Sequence, residues 1–366
     1  MFTNDRWLLP EGIEEALPVQ AERLEGLRRR LLDLYRVWGY RLVMPPFIEY
    51  LESLLTGTGN DLDLQTFKLT DQLTGRMMGV RADMTPQVAR IDAHRLGEDV
   101  PTRLCYMGTV LRTRPEDLGG SRSPLQMGVE LYGHAGIEAD VEVVRLMHET
   151  LSTVGYDSIY LDLGHVGIYR GLAAQAGFDA EQEAAFFDAL QRKARPEIGE
   201  LLDDAGVTGQ VRDMLEGLAD LNGGDEVLAE AGRVLAAGSA DVQAALANLR
   251  AIAEALHRCL PGLQLHYDLA ELRGYHYHTG AVFGAYVAGR GQAVAQGGRY
   301  DDIGRDFGRA RPATLTLARA LPGFTVIAPD LRSERRPDRV MGPVGWAATE
   351  AALAAAPPGE PVFLVS

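Results

Sequence analysis

The segment Glu271–Gly280 reads ELRGYHYHTG and sets Tyr275, His276, Tyr277 and His278 in an unbroken run of four rings. Read as extended chain, Tyr275, Tyr277 and Thr279 fall on one side, and His276 and His278 on the other. Three chemistries fit that spacing. Two histidines at i, i+2 on a strand face can begin a metal site. A Tyr/His/Arg wall can line a pocket for a small polar ligand. The rings can also simply pack, with their polar tips hydrogen-bonded. Of the eight histidines, His276 and His278 are the only close pair. A zinc site needs a third ligand and a supporting shell, and the sequence nominates neither.

Two further stretches carry polar groups at informative spacing. In LQMGVELYG the period-2 pattern places Gln126, Gly128 and Glu130 on one strand face, opposite Met127, Val129 and Leu131. Such alternation ordinarily means that one face meets water; the amide, glycine and carboxylate also suit the floor of a polar cleft. In Asp83-Met-Thr-Pro-Gln, Asp83 or Thr85 can cap a helix that has Pro86 in its first turn. The same carboxylate and hydroxyl suit a ligand ammonium group.

The elements that must position these residues follow from periodicity. Leu24, Leu27, Leu31, Leu34, Tyr35 and Trp38 predict an amphipathic helix over 19–38, ended by Gly39. YRLVMPPFIEY predicts a strand broken at Pro45–Pro46. Residues 63–69 and 76–83 read as a hairpin, 102–113 and 125–133 as two strands, 138–154 as a helix, and SIYLDLGHVG as a further strand. From about Ile168 the texture turns to Ala, Leu, Glu and Gln punctuated by Gly and Pro, which predicts an all-helical insertion. Strand texture resumes at LQLHYDLAEL. Beyond Gly308 we expect a helical stretch (LTLARAL), a strand (GFTVIAP), a linker at 330–340, an Ala-rich helix near 346–356 and a last strand, PVFLVS. The expected organisation is a core over 1–167, the insertion over 168–261, a second core part over 262–325 and a short C-terminal remnant over 326–366.

Composition limits the function classes. With 36 basic against 51 acidic side chains the net charge is −15, which disfavours nucleic acid as a partner because phosphate contacts need a basic footprint. No run approaches the roughly 18 apolar residues of a membrane span, and MFTNDRWLLPEG has no signal-peptide pattern, so a cytoplasmic location without membrane association is expected. Cys105 and Cys259 stand far apart, which argues against a disulfide framework or thiolate zinc site. GxxxxGK[ST], GxGxxG, HExxH and GxSxG are all missing. No cofactor or metal is expected.

Laid out in order, the motifs resemble the class II aminoacyl-tRNA synthetases, histidyl-tRNA synthetase in particular. GYRLVMPPFIEY is similar to that family's first motif, VRADMTPQVAR to its LRPEGTA segment, QMGVELYG to its QFGVEVFG strand, ELRGYHYHTGAVF to LVRGLDYYTGTVFE, and QGGRYDDIGRDFGR to its GGRYDGL stretch. The resemblance spans about residues 7–312 and implies an α+β fold: an antiparallel sheet flanked by helices, with an all-helical insertion. It also implies a histidine pocket, with Asp83 and Glu130 toward the ammonium group and Thr85 and Gln126 for polar positioning. Arg273 would face the carboxylate, and Tyr277 and Tyr300 would close the imidazole end.

Departures from that pattern point away from catalysis. Where the synthetases read FRxERPQxGRxRxFxQ, this chain reads LRTRPEDLGGSRSPLQ, with Arg114 in the glutamate's place. The GFxxGLxR segment that supplies an arginine for ATP has no counterpart in GRARPATLTLARALPG. Stabilising a transferring adenylyl group depends on such charges being placed in advance. His276 and His278 replace the aspartate and second tyrosine of the histidine-recognition segment, and an anticodon-binding domain is absent or cut to a remnant. This combination resembles the regulatory subunits of ATP phosphoribosyltransferase, paralogues of histidyl-tRNA synthetase. The resemblance implies a non-catalytic subunit in a hetero-oligomer with a short-form catalytic subunit, a homodimer through the core, and histidine as feedback effector. An active histidyl-tRNA synthetase is the enzymatic alternative, with an orphan class II-like enzyme or a ligandless scaffold beyond it.

Overall fold

The computed structural model describes residues 7–57, 60–115, 120–271, 274–275 and 277–320. The helix expected from the leucine spacing forms as α1 (Pro18–Val37), burying Leu27, Leu31 and Tyr35, and the chain turns back at Gly39. Pro45 and Pro46 then do what an imino acid does in a ladder: they end one strand and let the next join another sheet. β1 (Arg41–Leu42) pairs parallel to β5 (Thr102–Thr109), whereas β2 (Ile48–Tyr50) joins β3 (Phe67–Thr70) and β4 (Met77–Val80) in a small antiparallel sheet ordered β2-β4-β3. Two short helices, α2 (Leu51–Leu54) and α3 (Asn60–Gln65), lie between. The first part of the expected hairpin is therefore helical: residues 63–65 belong to α3, and pairing begins at Phe67.

The main sheet has nine strands ordered β1-β5-β6-β12-β11-β10-β7-β9-β8. Its other members are β6 (Leu125–Tyr132), β7 (Tyr160–His165), β8 (Asn222–Gly223), β9 (Gln264–Asp268), β10 (Ala281–Tyr286), β11 (Ala295–Arg299) and β12 (Ala313–Ala320). Among the described residues only the β1–β5 and β7–β9 pairs are parallel, so the expected antiparallel sheet is mixed at its two ends.

One expectation fails outright here. LTLARAL is not helical; Ala313–Ala320 is a strand inserted between β6 and β11. Thr314 and Thr316 alternate with Leu315 and Leu317, a period-2 pattern of β-branched and apolar residues that suits a strand with different surroundings on each face. Residues beyond Ala320, including the expected strands, linker and helix of the tail, lie outside the described residues.

Helices cover the sheet. α4 (Thr85–Ile91) widens into a π-helical turn over Asp92–Leu96, and α5 (Ile137–Thr153) buries its apolar stripe beneath β6 and β10–β12. The helical segment comprises α6 (Val166–Ala176), α7 (Ala180–Gln191), α8 (Arg195–Asp204), α9 (Gly209–Leu218), α10 (Glu226–Val234) and α11 (Ala240–Cys259). It shares one continuous core with α1, α5 and the sheet. Within it the two-residue β8 adds an edge to β9 that the composition gave no sign of. α12 (Ile303–Asp306) and α4 cover the other side of the sheet, where Met84, Val88, Leu104, Tyr106, Tyr132, Tyr300, Phe307, Leu315 and Leu317 form a second, smaller core.

Candidate ligand-binding site

The polar face of β6 opens onto that second core. Gln126, Gly128, Glu130 and Tyr132 share it, while Met127, Val129 and Leu131 face the main core, as the alternation requires. Of the two readings of this face, the one that has it meet water fails: Gln126 and Glu130 are both fully buried. What covers them is the Tyr106 ring, opposite Gly128 on β5. A Cβ at Gly128 would come within 2.5 Å of the Tyr106 hydroxyl, so only glycine lets that ring lie over the strand.

At the Gln126 end, the chain enters α4. The Asp83 carboxylate accepts the Thr85 backbone N–H at 2.8 Å in a turn just before the helix. The capping position is Met84, with no side-chain cap bond, so the expected cap by Asp83 or Thr85 does not form. Gln126 Oε1 accepts the Met84 N–H at 3.0 Å, and the Thr85 hydroxyl lies 3.1 Å from the Tyr106 hydroxyl. Asp83, Thr85 and Gln126 are thereby brought together. Arg112 lies buried beside them, donating to the Ala82 carbonyl at 3.3 Å; burial lowers its pKa and the Asp83 charge opposes that.

At the other end, Glu130 Oε2 accepts hydrogen bonds from both the Tyr300 and Tyr132 hydroxyls, which are themselves 2.9 Å apart. Tyr277 stacks on Tyr300 with centroids 5.3 Å apart and reaches Thr85 with its hydroxyl. Burial pushes the Glu130 carboxyl up to about 7, and the tyrosine hydroxyls offset only part of that. The phenols of Tyr106, Tyr132, Tyr277 and Tyr300 are raised well above their ordinary value, first by burial, so they stay protonated. Two buried polar atoms lack a hydrogen-bond partner here, Glu130 Oε1 and Gln126 Nε2. Buried groups of this kind ordinarily have partners.

Of the seven residues expected in a pocket, six converge on this face: Asp83, Thr85, Gln126, Glu130, Tyr277 and Tyr300. Arg273 lies outside the described residues. Glu130 sits with the tyrosines. Tyr106 and Tyr132 were missed in the sequence, although Tyr132 repeats the spacing of Gln126, Gly128 and Glu130.

The described residues of the decapeptide do not form extended chain. Tyr277 and His278 both donate their N–H groups to the Gly274 carbonyl at 2.8 Å, a turn that Gly274 begins at φ +67°. The strand starts only at Ala281. Turning splits the residues that alternation had placed together: Tyr275 packs into the main core and Tyr277 against the second. His278 is buried, pushed down to about 4 by desolvation, with Nδ1 3.2 Å from the Arg299 carbonyl. Among the described residues no three His, Cys, Asp or Glu side chains group as for a metal. Arg299 braces the turn's partner strand through a buried ion pair to Asp140 at 2.9 Å and the Gly136 carbonyl at 3.0 Å, while Thr314 donates to Asp140 at 2.7 Å.

Comparison with known proteins shows the family and the fold. The family model described as histidyl-tRNA synthetase matches residues 12–316. An ATP phosphoribosyltransferase regulatory subunit from Thioalkalivibrio sulfidiphilus is 67% identical over 314 residues, covering 86% of this chain and 80% of that protein. A solved ATP phosphoribosyltransferase regulatory subunit/histidyl-tRNA synthetase from Bacillus halodurans superposes with TM-score 0.77 at 28% identity, over 86% of this chain and 81% of its own. The fold recurs, at 18% identity and TM-score 0.62, in an ATP phosphoribosyltransferase complex from Thermotoga maritima, over 80% of this chain and 96% of that one. The chain thus has a histidyl-tRNA synthetase-like fold and belongs to the family of ATP phosphoribosyltransferase regulatory subunits, non-catalytic members of an enzyme complex in histidine biosynthesis.

Proposed function

We propose that the buried face of β6 binds free L-histidine, and that the chain reports its concentration to a short-form ATP phosphoribosyltransferase catalytic subunit as a feedback signal. The observation that carries this reading is the pair of unpartnered atoms, Gln126 Nε2 and Glu130 Oε1, on one strand face. Gln126 Nε2 needs an acceptor and Glu130 Oε1 a donor, so one ammonium group, which only donates, cannot satisfy both. Their Cα atoms stand about 13 Å apart at roughly 3.3 Å per residue. The ligand therefore lies lengthwise, its ammonium group near Asp83 and Thr85 and one of its acceptor atoms toward Gln126 Nε2. Its ring lies against the stacked pair of Tyr277 and Tyr300, with an imidazole N–H toward Glu130. Glu130, first placed with the ammonium group, is reassigned to the ring on this geometry. Arg273 is proposed to meet the carboxylate.

The feedback reading rests on a general requirement: a ligand shifts an assembly only if its affinity differs between two states. A homodimer through the core fits the exposed Leu42, Met44, Phe47, Ile48 and Met77 around β1, β2 and β4. Among the described residues no helix is long and apolar enough to cross a membrane, and we place the complex in the cytoplasm. We also take 168–261 as one inserted unit and 326–366 as the C-terminal remnant. Two measurements test the proposal. Calorimetry should register histidine binding, and the catalytic subunit should associate with this chain and gain phosphoribosyl transfer that histidine suppresses. Robust histidine-dependent pyrophosphate exchange with ATP would instead establish an active synthetase.

A further inference from the structure

The turn over Gly274–Gly280 joins two packed regions. On one side Tyr277 stacks on Tyr300 and meets Thr85, so it touches the proposed ligand site directly. Two positions earlier, Tyr275 is held by the helical segment. Its hydroxyl donates to Glu183 on α7, its carbonyl accepts from Arg170 on α6 at 2.5 Å, and the Arg170 guanidinium lies 4.8 Å from its ring centre. Phe187 and Tyr169 pack on the same ring at centroid distances of 5.0 and 5.2 Å. Both N–H groups that follow Tyr275 and are described, those of Tyr277 and His278, close on the one carbonyl of Gly274. His278 packs edge-on to Tyr277 at 5.1 Å, and a Cβ at Gly274 would lie 2.8 Å from its ring. Close packing of this kind leaves little room for Tyr277 to move without moving Tyr275.

We propose that this turn couples the ligand site to α6 and α7: occupancy that fixes Tyr277 also fixes Tyr275 and tightens the helices gripping it. Arg170 and Tyr275 are the relay; neither touches the ligand. The inference rests on the histidine reading above and adds the route by which occupancy reaches the helical segment. Coupling here needs no displacement, because ordering one end of a shared element lowers the cost of ordering the other.

Hydrogen exchange on the full chain with and without L-histidine tests it, with calorimetry run in parallel. In the wild type, histidine should slow exchange in α6 and α7 about threefold or more while α9 and α10 serve as an unchanged reference. Arg170→Met and Tyr275→Phe each remove one tie without entering the site. Either should bind histidine within about twofold of wild type yet lose most of the slowing. Binding with no change in wild-type α6 and α7, slowing of equal size in α9 and α10, or slowing that survives in both variants would overturn the coupling and leave the ligand reading intact. Failure of histidine to bind the wild type would overturn both.

Discussion

Tyr300 donates its hydroxyl proton to Glu130 at the floor of a site whose wall is built by residues from five separate stretches of chain. The same carboxylate oxygen takes a second bond from Tyr132, and the other oxygen takes none. A carboxyl placed this way is costly to ionise.

That cost has a sign. Glu130 is pushed up from 4.5 to about 7 in the folded protein, so between those values the native state holds a proton that the unfolded chain has released. Stability conferred by the neutral form is therefore lost as pH rises through that window, by on the order of 3 kcal/mol. Urea unfolding of ligand-free Glu130→Gln at pH 5 and pH 8 should show this part of the pH dependence gone. An unchanged difference between the two pH values would refute the assignment. The same variant should weaken histidine binding roughly tenfold, since an oxygen facing the imidazole N–H is exchanged for an amide N–H2 that cannot accept.

His165 gives the opposite slope. It caps α6 by accepting the Gly167 N–H at Nδ1, and burial pushes it down from 6.5 to about 4. Here the unfolded chain binds the extra proton, so stability is present above pH 6.5 and is lost as pH falls toward 4. Asn at position 165 keeps an acceptor for the cap but does not titrate. Comparing melting curves of wild type and His165→Asn from pH 7 to pH 4.5 should show a shallower acid loss in the variant, whatever its absolute stability.

Gly128→Ala tests the close approach of the strands. The added methyl would meet the Tyr106 hydroxyl at 2.5 Å and Leu317 at 2.8 Å. Overpacking of that order costs about 1–3 kcal/mol. Because Tyr106 must move, histidine affinity should fall together with the denaturant midpoint; a variant as stable and as avid as wild type would show that the ring yields freely.

Arg299→Met leaves Asp140 buried without its cation, and breaking such a pair costs about 3–5 kcal/mol. The double variant Arg299→Met/Asp140→Asn should recover much of that loss, since no lone charge remains. Thermal unfolding of the three variants measures the coupling directly. A double variant no more stable than Arg299→Met would mean that the loss comes from packing rather than charge.

Much of the fold was legible because its signals are local. The leucine spacing of α1, the prolines between β1 and β2, the alternation of β6 and the Ala-rich helices each declare themselves within a few turns of chain. So did the set of polar residues at the site, through motifs whose order was readable. Ala313–Ala320 was misread because a short Thr/Leu run reads equally as helix or strand, and its two neighbours on either side decide. The ring-rich decapeptide was misread for a related reason: alternation was assumed, and Gly274 permits a turn that alternation does not anticipate.

By itself, then, the amino-acid sequence determined most of the elements and their order, and nominated side chains suited to a small polar ligand. Only the tertiary structure decided how those side chains are shared out. It buried a face whose pattern suggested water, raised Glu130 toward neutrality, and sent Tyr275 and Tyr277 to different cores. The physical reason is that burial, protonation and ring contacts depend on groups distant in the chain, as Glu130 and Tyr300 are, 170 positions apart.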